Sequence, residues 1–300
     1  MDRARQIAIV GMAVSGFLAA LKITVGWLGN SAAVTADGFE STADVFASGL
    51  LLIGLTLALR PPDKNHPYGH GRVEILTGLL LGFLLLDAGC LIAWRGLASA
   101  GDSRHVPQSY AMWPLVVSIV AKLGLVLVKY RHGKKIGSSS LLADAANDSI
   151  DIVSGVVALG ALSLALHDPE RFWRADHYGA FCVGLIVIVT ALRVMRDTSL
   201  HLVDTMPDDQ TIRVIREAAL SVPNVEGVEK CFARKTGFKY HVDLHLEVDP
   251  GITVRFSHEI AQNVRERIRE QLPWVDDVLV HVEPWQPATT TKTTTLPPAA

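Results

Sequence analysis

Long apolar stretches, each close to the thickness of a lipid bilayer, dominate the first two thirds of the chain. They lie at about 6–28, 32–58, 73–98, 111–130, 139–166 and 177–198. A helix of about 20 apolar residues crosses the hydrocarbon core, so the pattern predicts a domain of six transmembrane helices over residues 1–203. No small-residue cleavage motif follows the first stretch, and we expect it to be a retained helix rather than a signal peptide.

The pattern changes near residue 204 to that of a small α/β domain, which we expect to end at residue 286. Residues 239–248 alternate polar and apolar side chains with a period of two, which is typical of a half-buried strand. The predicted elements are a helix capped by Asp208 or Asp209 and running to about Ser221, strands at 225–234, 239–248 and 275–282, and a helix at 254–272. This αββαβ order predicts a sheet with helices on one face, followed by a disordered low-complexity tail at 287–300.

Composition agrees with a membrane protein that carries a soluble portion. The 300 residues are 49% hydrophobic with a mean hydropathy of +0.30, which is too apolar for an ordinary soluble protein. The net charge of −2 gives no basis for binding nucleic acid. Three separated cysteines form no CxxC pair, so a disulfide framework is not expected. The absence of HExxH, GxSxG and P-loop motifs argues against an enzyme and against a nucleotide cofactor.

Basic residues predict the orientation in the membrane. They concentrate on alternate connections: Arg3 and Arg5; Arg60, Lys64 and Arg72; Arg131, Lys134 and Lys135; Arg193 and Arg196. Cytoplasmic loops are enriched in Lys and Arg. With an even number of spans, both termini are therefore expected in the cytoplasm. We expect the membrane itself to be a bacterial-type inner membrane or that of a compartment derived from one.

Acidic side chains recur inside two of the apolar stretches. Glu40 and Asp44 lie in the second, and Asn147 and Asp151 lie in the fifth. Each pair is spaced i, i+4 and shares one helix face. A charge at the bilayer centre costs roughly 3 kcal/mol on insertion scales, so it persists where it faces a partner or water. This quartet predicts an intramembrane cation site. Helix association through hydrogen bonds is the alternative, and it suits one Asn better than three acids.

Further charged residues accompany the quartet. Asp37 and Asp144 each lie one turn before a pair, and Asp148 lies beside Asn147. Asp37 and Asp144 would either line an access path or cap and pack the helices. Lys22 and Lys122 fall within spans, and we expect them to pair with acids or to extend toward the interface.

The connection after the second span carries a second set of possible ligands. Asp63, His66 and His70 are typical transition-metal ligands and lie within eight residues of one another. A polar turn with incidental histidines is the alternative, since the segment is rich in Pro and Gly.

The C-terminal domain carries a third set. His245 falls on the second predicted strand, His258 on the following helix, and His281 with Glu283 on the last strand. In a small domain these ligand types are expected to converge on a metal, and His241 lies on the same strand face as His245. The alternative is that they are ordinary surface residues.

Taken together, these motifs resemble the cation diffusion facilitator family. The resemblance rests on Ala36–Asp44, His66–Glu74, Ala143–Asp151, His245–Asp249, His258–Ile260 and Val280–Pro284, and it extends to about Trp285. It implies a homodimer that spans membrane lipid and exports divalent metal cations from the cytoplasm in exchange for protons. It also implies a cytoplasmic ferredoxin-like, metallochaperone-like domain that binds metal and dimerises.

The resemblance assigns roles by position. Glu40, Asp44, Asn147 and Asp151 correspond to the transport site; Asp63, His66 and His70 to a loop site; and His245, His258, His281 and Glu283 to a C-terminal site. Arg72 and Asp204 occupy positions where family members can form a charge interlock at the dimer interface.

One departure bears on the metal. Zinc-transporting members usually have His at the position of Asn147, and often His or Asp at the position of Glu40. A site of oxygen ligands alone suits Mn²⁺, and Fe²⁺ tolerates it, although the Irving–Williams order still favours Zn²⁺ at many sites. We therefore expect a proton-coupled antiporter for the Mn²⁺/Fe²⁺/Zn²⁺ class. A membrane-anchored metal sensor or assembly scaffold, binding metal through its C-terminal domain, is the alternative.

Overall fold

The computed structural model describes residues 2–101, 106–136, 139–237 and 239–286. The predicted low-complexity tail at 287–300 lies outside the described residues. The described residues divide into two compact units, one drawn from residues 1–57 and 76–198 and the other from residues 58–75 and 199–300. The connection that carries Asp63, His66 and His70 therefore groups with the C-terminal unit.

Helices build the first unit. They are α1 (Asp2–Leu28), α2 (Ala32–Ala58), α3 (Arg72–Ser99), α4 (Met112–Ile136), α5 (Ser139–His167), the short α6 (Pro169–Phe172) and α7 (Ala175–Leu202). Among the described residues, six helices (α1 to α5 and α7) are long and apolar enough to cross a membrane. This confirms the six predicted spans.

Small residues allow the membrane helices to approach closely. A Cβ atom on Gly184 of α7 would lie 2.6 Å from the backbone nitrogen of Ala93 on α3. A Cβ on Gly96 of α3 would lie 2.7 Å from the backbone nitrogen of Phe181. In a bilayer the hydrophobic effect does not drive helices together, so backbone approach at small residues supplies much of the packing. The absence of a side chain at these two glycines therefore lets the backbones of α3 and α7 pack closely against each other.

The second unit contains the α/β domain. Its elements are α8 (Asp209–Leu220), β1 (Gly227–Thr236), β2 (Lys239–Val248), α9 (Val254–Gln271) and β3 (Val275–Pro284). The αββαβ order is as predicted, and the side chain of Asp208 caps α8 by accepting a hydrogen bond from the Thr211 backbone amide at 2.8 Å. Strand β1 continues two residues beyond its predicted end because Thr236 pairs with Lys239 across the turn.

Strand β2 lies in the middle of the sheet, antiparallel to β1 and parallel to β3. One set of its alternating side chains is buried in a single core with α8 and α9: Val242, Leu244, Leu246 and Val248. This arrangement confirms that both helices cover one face. The intervening residues, including His241 and His245, are partly buried on the opposite face.

Candidate metal sites

The quartet converges on one pocket in the membrane unit. Glu40 and Asp44 of α2, together with Asn147 and Asp151 of α5, line it with Leu85, Ile150, Val187 and Thr190. Glu40 and Asp151 are buried, and Asp44 and Asn147 are partly buried. The structure thus brings together all four residues that the i, i+4 patterns singled out.

The donor atoms of this pocket suit a cation. Oε2 of Glu40 is buried and has no hydrogen-bond partner within the described part of the chain. A buried carboxylate oxygen without a partner is costly, and a bound cation would compensate it. Thr190 of α7 adds a hydroxyl to the lining. Sequence reasoning missed it because a single Thr in an apolar helix carries no periodic signal.

A row of ion pairs between α4 and α5 leads away from the pocket. Nζ of Lys122 lies 2.5 Å from Oδ2 of Asp151 and 2.7 Å from Oδ1 of Asp148. Nζ of Lys129 contacts Oδ2 of Asp148 and lies 2.7 Å from Oδ2 of Asp144. The expected pairing of Lys122 with acids is confirmed. The row of ion pairs runs from Asp151, which lines the pocket, to Asp144, whose side chain is 45% exposed.

A separate buried ion pair joins α1 to α2. Nζ of Lys22 lies 2.7 Å from Oδ2 of Asp37 and donates a hydrogen bond to Oγ of Ser41 at 2.6 Å. The hydroxyl of Ser154 donates to Oδ1 of Asp37 at 3.2 Å. Asp37 and Asp144 therefore both pair with buried lysines. This favours a packing role over an access path for these two acids.

The loop cluster, formed by Asp63, His66 and His70, is also brought together. Oδ1 of Asp63 lies 3.1 Å from Nδ1 of His66, and its Oδ2 lies 3.4 Å from Nε2 of His70. The His66 and His70 ring centroids are 4.4 Å apart. The backbone amide of His66 donates to the Asp63 carboxylate and holds the pKa of Asp63 below its usual value. An ionised acid beside two imidazoles is a suitable donor set for a transition metal.

The C-terminal cluster consists of His245, His281 and Glu283, whose donor atoms lie within 4.8 Å of one another. Nδ1 of His245 lies 2.6 Å from Oε1 of Glu283, and the register of β2 and β3 places His245 beside His281. Glu229 of β1 joins this edge, with Oε2 at 4.0 Å from Nδ1 of His245. Hydrogen bonds with Glu229 and then His245 hold the pKa of Glu283 below its usual value. Glu229 was missed because only the sheet pairing reveals its proximity.

Two other histidines of this domain lie apart from that cluster. His258 is exposed on α9, and its Nε2 lies 3.5 Å from Nε2 of Gln262, so it does not join the three grouped ligands in this structure. His241 shares the strand face of His245 but has its Nε2 3.8 Å from Oδ2 of Asp276. A ligand role for His258 stays a prediction.

Arg72 and Asp204 meet directly within one chain. Nη2 of Arg72 lies 3.0 Å and 3.3 Å from the two carboxylate oxygens of Asp204. Both side chains are exposed, at 52% and 41%. Their predicted place at a dimer interface stays a prediction.

Comparisons with known proteins cover almost the whole chain. Residues 8–203 match the family model of the cation efflux transmembrane domain, and residues 207–285 match that of the cation efflux protein cytoplasmic domain. The manganese efflux system protein MneP of Bacillus subtilis (strain 168) is 29% identical, over 94% of this chain and 96% of that protein. MneS of the same organism is 32% identical, over 92% of this chain and 94% of that protein. A solved MamM CTD structure is 30% identical over 26% of this chain and 100% of that chain, with a TM-score of 0.26.

The matched C-terminal model describes a domain through which cation efflux proteins dimerise, and the protein is a homodimer on this basis. The matched transmembrane model and the six long apolar helices make it a multi-pass integral membrane protein. It is a transporter and not an enzyme. The chain belongs to the cation diffusion facilitator family of divalent-metal efflux transporters.

Proposed function

We propose that the protein exports divalent cations of the Mn²⁺/Fe²⁺/Zn²⁺ class from the cytoplasm in exchange for protons. Glu40, Asp44, Asn147 and Asp151 form the transport site. The observation that carries this proposal is their convergence on one intramembrane pocket, where Oε2 of Glu40 has no protein partner within the described residues.

The donor set bears on which metal is carried. The four predicted ligands offer carboxylate and amide oxygens and no imidazole. Such hard ligands suit Mn²⁺, and Fe²⁺ tolerates them. The names of MneP and MneS, both manganese efflux proteins, support this order of preference. Zn²⁺ stays within the class because its affinity for most donor sets is high.

Proton coupling follows from the same oxygens. A carboxylate must be deprotonated to bind a metal ion, so metal and protons compete for Glu40, Asp44 and Asp151. A metal ion entering from the cytoplasm displaces protons, and protons from the opposite side displace the metal after the helices rearrange. Carboxylates facing an intramembrane cavity are common proton carriers in transporters.

The other two clusters have a regulatory role in this proposal. Metal bound by the loop cluster and by the C-terminal cluster, with His258 as a further ligand of the latter, tightens the dimer and favours transport. Such coupling requires that these sites bind metal more tightly in one conformational state than in another. Arg72 and Asp204 act as the charge interlock of the dimer. The protein lies in a bacterial inner membrane with both termini in the cytoplasm.

Transport in proteoliposomes tests the proposal. Vesicles that contain a metal-sensitive dye receive Mn²⁺, Fe²⁺ or Zn²⁺ under an imposed pH gradient. We expect metal flux that depends on the gradient and disappears in the Asp151→Ala variant. Asp144→Ala is the matched control, because Asp144 lies on the same helix but outside the pocket. Undiminished flux through Asp151→Ala would rule out the assigned transport site.

A second variant tests selectivity. Asn147→His introduces an imidazole into the pocket, and we expect the preference to shift toward Zn²⁺. An unchanged preference would place selectivity elsewhere. If no metal is transported although the protein binds metal through its C-terminal domain, the sensor or scaffold function would be favoured instead.

A further inference from the structure

We propose that the ammonium group of Lys122 is a tethered competitor for the transport site, which neutralises Asp151 when metal is absent and transfers to Asp148 when metal binds. This inference rests on the proposed function, because it takes Asp151 as a ligand of the transported ion. It makes Lys122 a positioning residue that sets metal affinity and selects for divalent charge.

The contacts of Lys122 carry the first step. Its Nζ lies 2.5 Å from Oδ2 of Asp151, and both side chains are about 95% buried. The ammonium group therefore occupies one face of a pocket residue while the other carboxylates remain available. A divalent ion that takes the same oxygen would lie next to this positive charge, and like charges in a buried setting repel strongly. Metal binding at Oδ2 of Asp151 therefore requires Lys122 to move.

The structure provides a second partner for the displaced ammonium group. Lys122 already lies 2.7 Å from Oδ1 of Asp148, and Asp148 does not line the pocket. The other oxygen of Asp148 is held by Lys129, which also pairs with Asp144. A small shift of Nζ away from Asp151 thus leaves it paired to an anchored carboxylate. This matters because a buried charge without a partner is strongly unfavourable.

Two functional consequences follow. Competition from Lys122 weakens metal binding, which allows the ion to leave on the far side of the membrane. It also rejects monovalent cations, because replacing one single positive charge by another gains little attraction to the three carboxylates. A divalent ion carries twice the charge, so its attraction to the carboxylates is strong enough to displace the ammonium group of Lys122. Specificity of this kind arises from a built-in repulsive element as well as from attractive contacts.

Two charge-balanced double variants provide the test. Lys122→Met/Asp148→Asn removes the competitor together with one carboxylate. The matched control Lys129→Met/Asp148→Asn removes a neighbouring buried lysine and the same carboxylate, but it keeps the contact between Lys122 and Asp151. Both are made in full-length protein that also carries His70→Ala, His245→Ala and His281→Ala, so that the loop and C-terminal clusters do not contribute. Mn²⁺ binding is then measured by titration calorimetry, after gel filtration and thermal melting confirm folding.

We expect Lys122→Met/Asp148→Asn to lower the Kd for Mn²⁺ at least tenfold and to allow Na⁺ or K⁺ to compete. The control variant keeps its Kd or binds more weakly. In transport, the test variant should lower both KM and kcat, because release becomes slow. Lys122→Arg, which keeps the cation, should stay within about threefold of the parent Kd.

Equal Kd values in the two double variants would overturn the role of Lys122. So would tight Mn²⁺ binding that still excludes Na⁺ and K⁺ without Lys122. If the test variant does not fold, Lys122→Gln/Asp148→Asn in the same background gives the same comparison. Asp151→Ala distinguishes a failure of the Lys122 proposal from a failure of the proposed function. Mn²⁺ binding that is unchanged by Asp151→Ala would mean that the pocket is not the transport site at all.

Discussion

Loss of one partner from the buried ion pair between Lys22 and Asp37 is expected to destabilise the membrane unit strongly. Both side chains are only 1% exposed, and Nζ of Lys22 lies 2.7 Å from Oδ2 of Asp37. Lys22→Met leaves the carboxylate buried with the Ser154 hydroxyl as its remaining described side-chain donor. Removing one partner of a buried ion pair typically destabilises by about 3–5 kcal/mol. Lys22→Met should therefore lower the free energy of unfolding by about that amount.

Replacing both partners should have a much smaller effect, because no buried charge is then left unpaired. Lys22→Met/Asp37→Asn is therefore expected to recover most of the loss. Asp276→Ala is the control at an exposed pair, since the side chains of Asp276 and its partner Lys239 are both more than 40% exposed, and it should change stability by about 1 kcal/mol or less.

Unfolding by SDS in detergent micelles, followed through tryptophan fluorescence, measures these differences. A loss below about 1 kcal/mol in Lys22→Met, or equal losses in the single and double variants, would refute the reasoning from burial. Transport by the folded double variant adds a second reading. Retained flux would agree with a packing role for Asp37, whereas lost flux would assign this acid to the path of the ion.

Three further predictions concern the C-terminal unit. Leu246→Ala removes a fully buried side chain of β2 and should destabilise the domain by about 2–5 kcal/mol. The control Leu279→Ala, at a position 69% exposed, should change stability by no more than about 0.5 kcal/mol. Chemical denaturation measures both differences. In chelator, the interactions with Glu229 and His245 that lower the pKa of Glu283 stabilise the fold while Glu283 is ionised, and this contribution is lost as the pH falls through the lowered pKa. Glu283→Gln should therefore flatten the acid side of a plot of Tm against pH, and an unchanged slope would contradict the assignment. Gly71→Ala would place a Cβ atom 2.5 Å from the backbone carbonyl oxygen of Thr236 in β1. It should therefore lower the free energy of unfolding by about 1–3 kcal/mol in the same denaturation assay. A denaturation midpoint equal to that of the wild type would show that the loop adjusts without strain.

Local patterns were sufficient to predict the six long helices and the elements of the α/β domain, but not the short helix α6. Span length determined the membrane helices, and α2 matches its predicted range of 32–58 because polar loop residues bound it on both sides. Strand β2 matches at 239–248 because an alternation of period two is a strong signal in a half-buried strand. The i, i+4 spacing likewise placed Glu40 with Asp44, and Asn147 with Asp151, on common helix faces before their convergence was known.

The sequence by itself therefore determined which segments span the membrane, which side chains share a face, and which family the motifs resemble. Only the tertiary structure decided which faces meet. It brought Thr190 into the pocket, set Glu229 beside His245, and paired Lys122 with Asp151 across two helices. The physical reason is that periodicity fixes the direction of a side chain within its own element, whereas a contact between elements depends on how the whole chain packs.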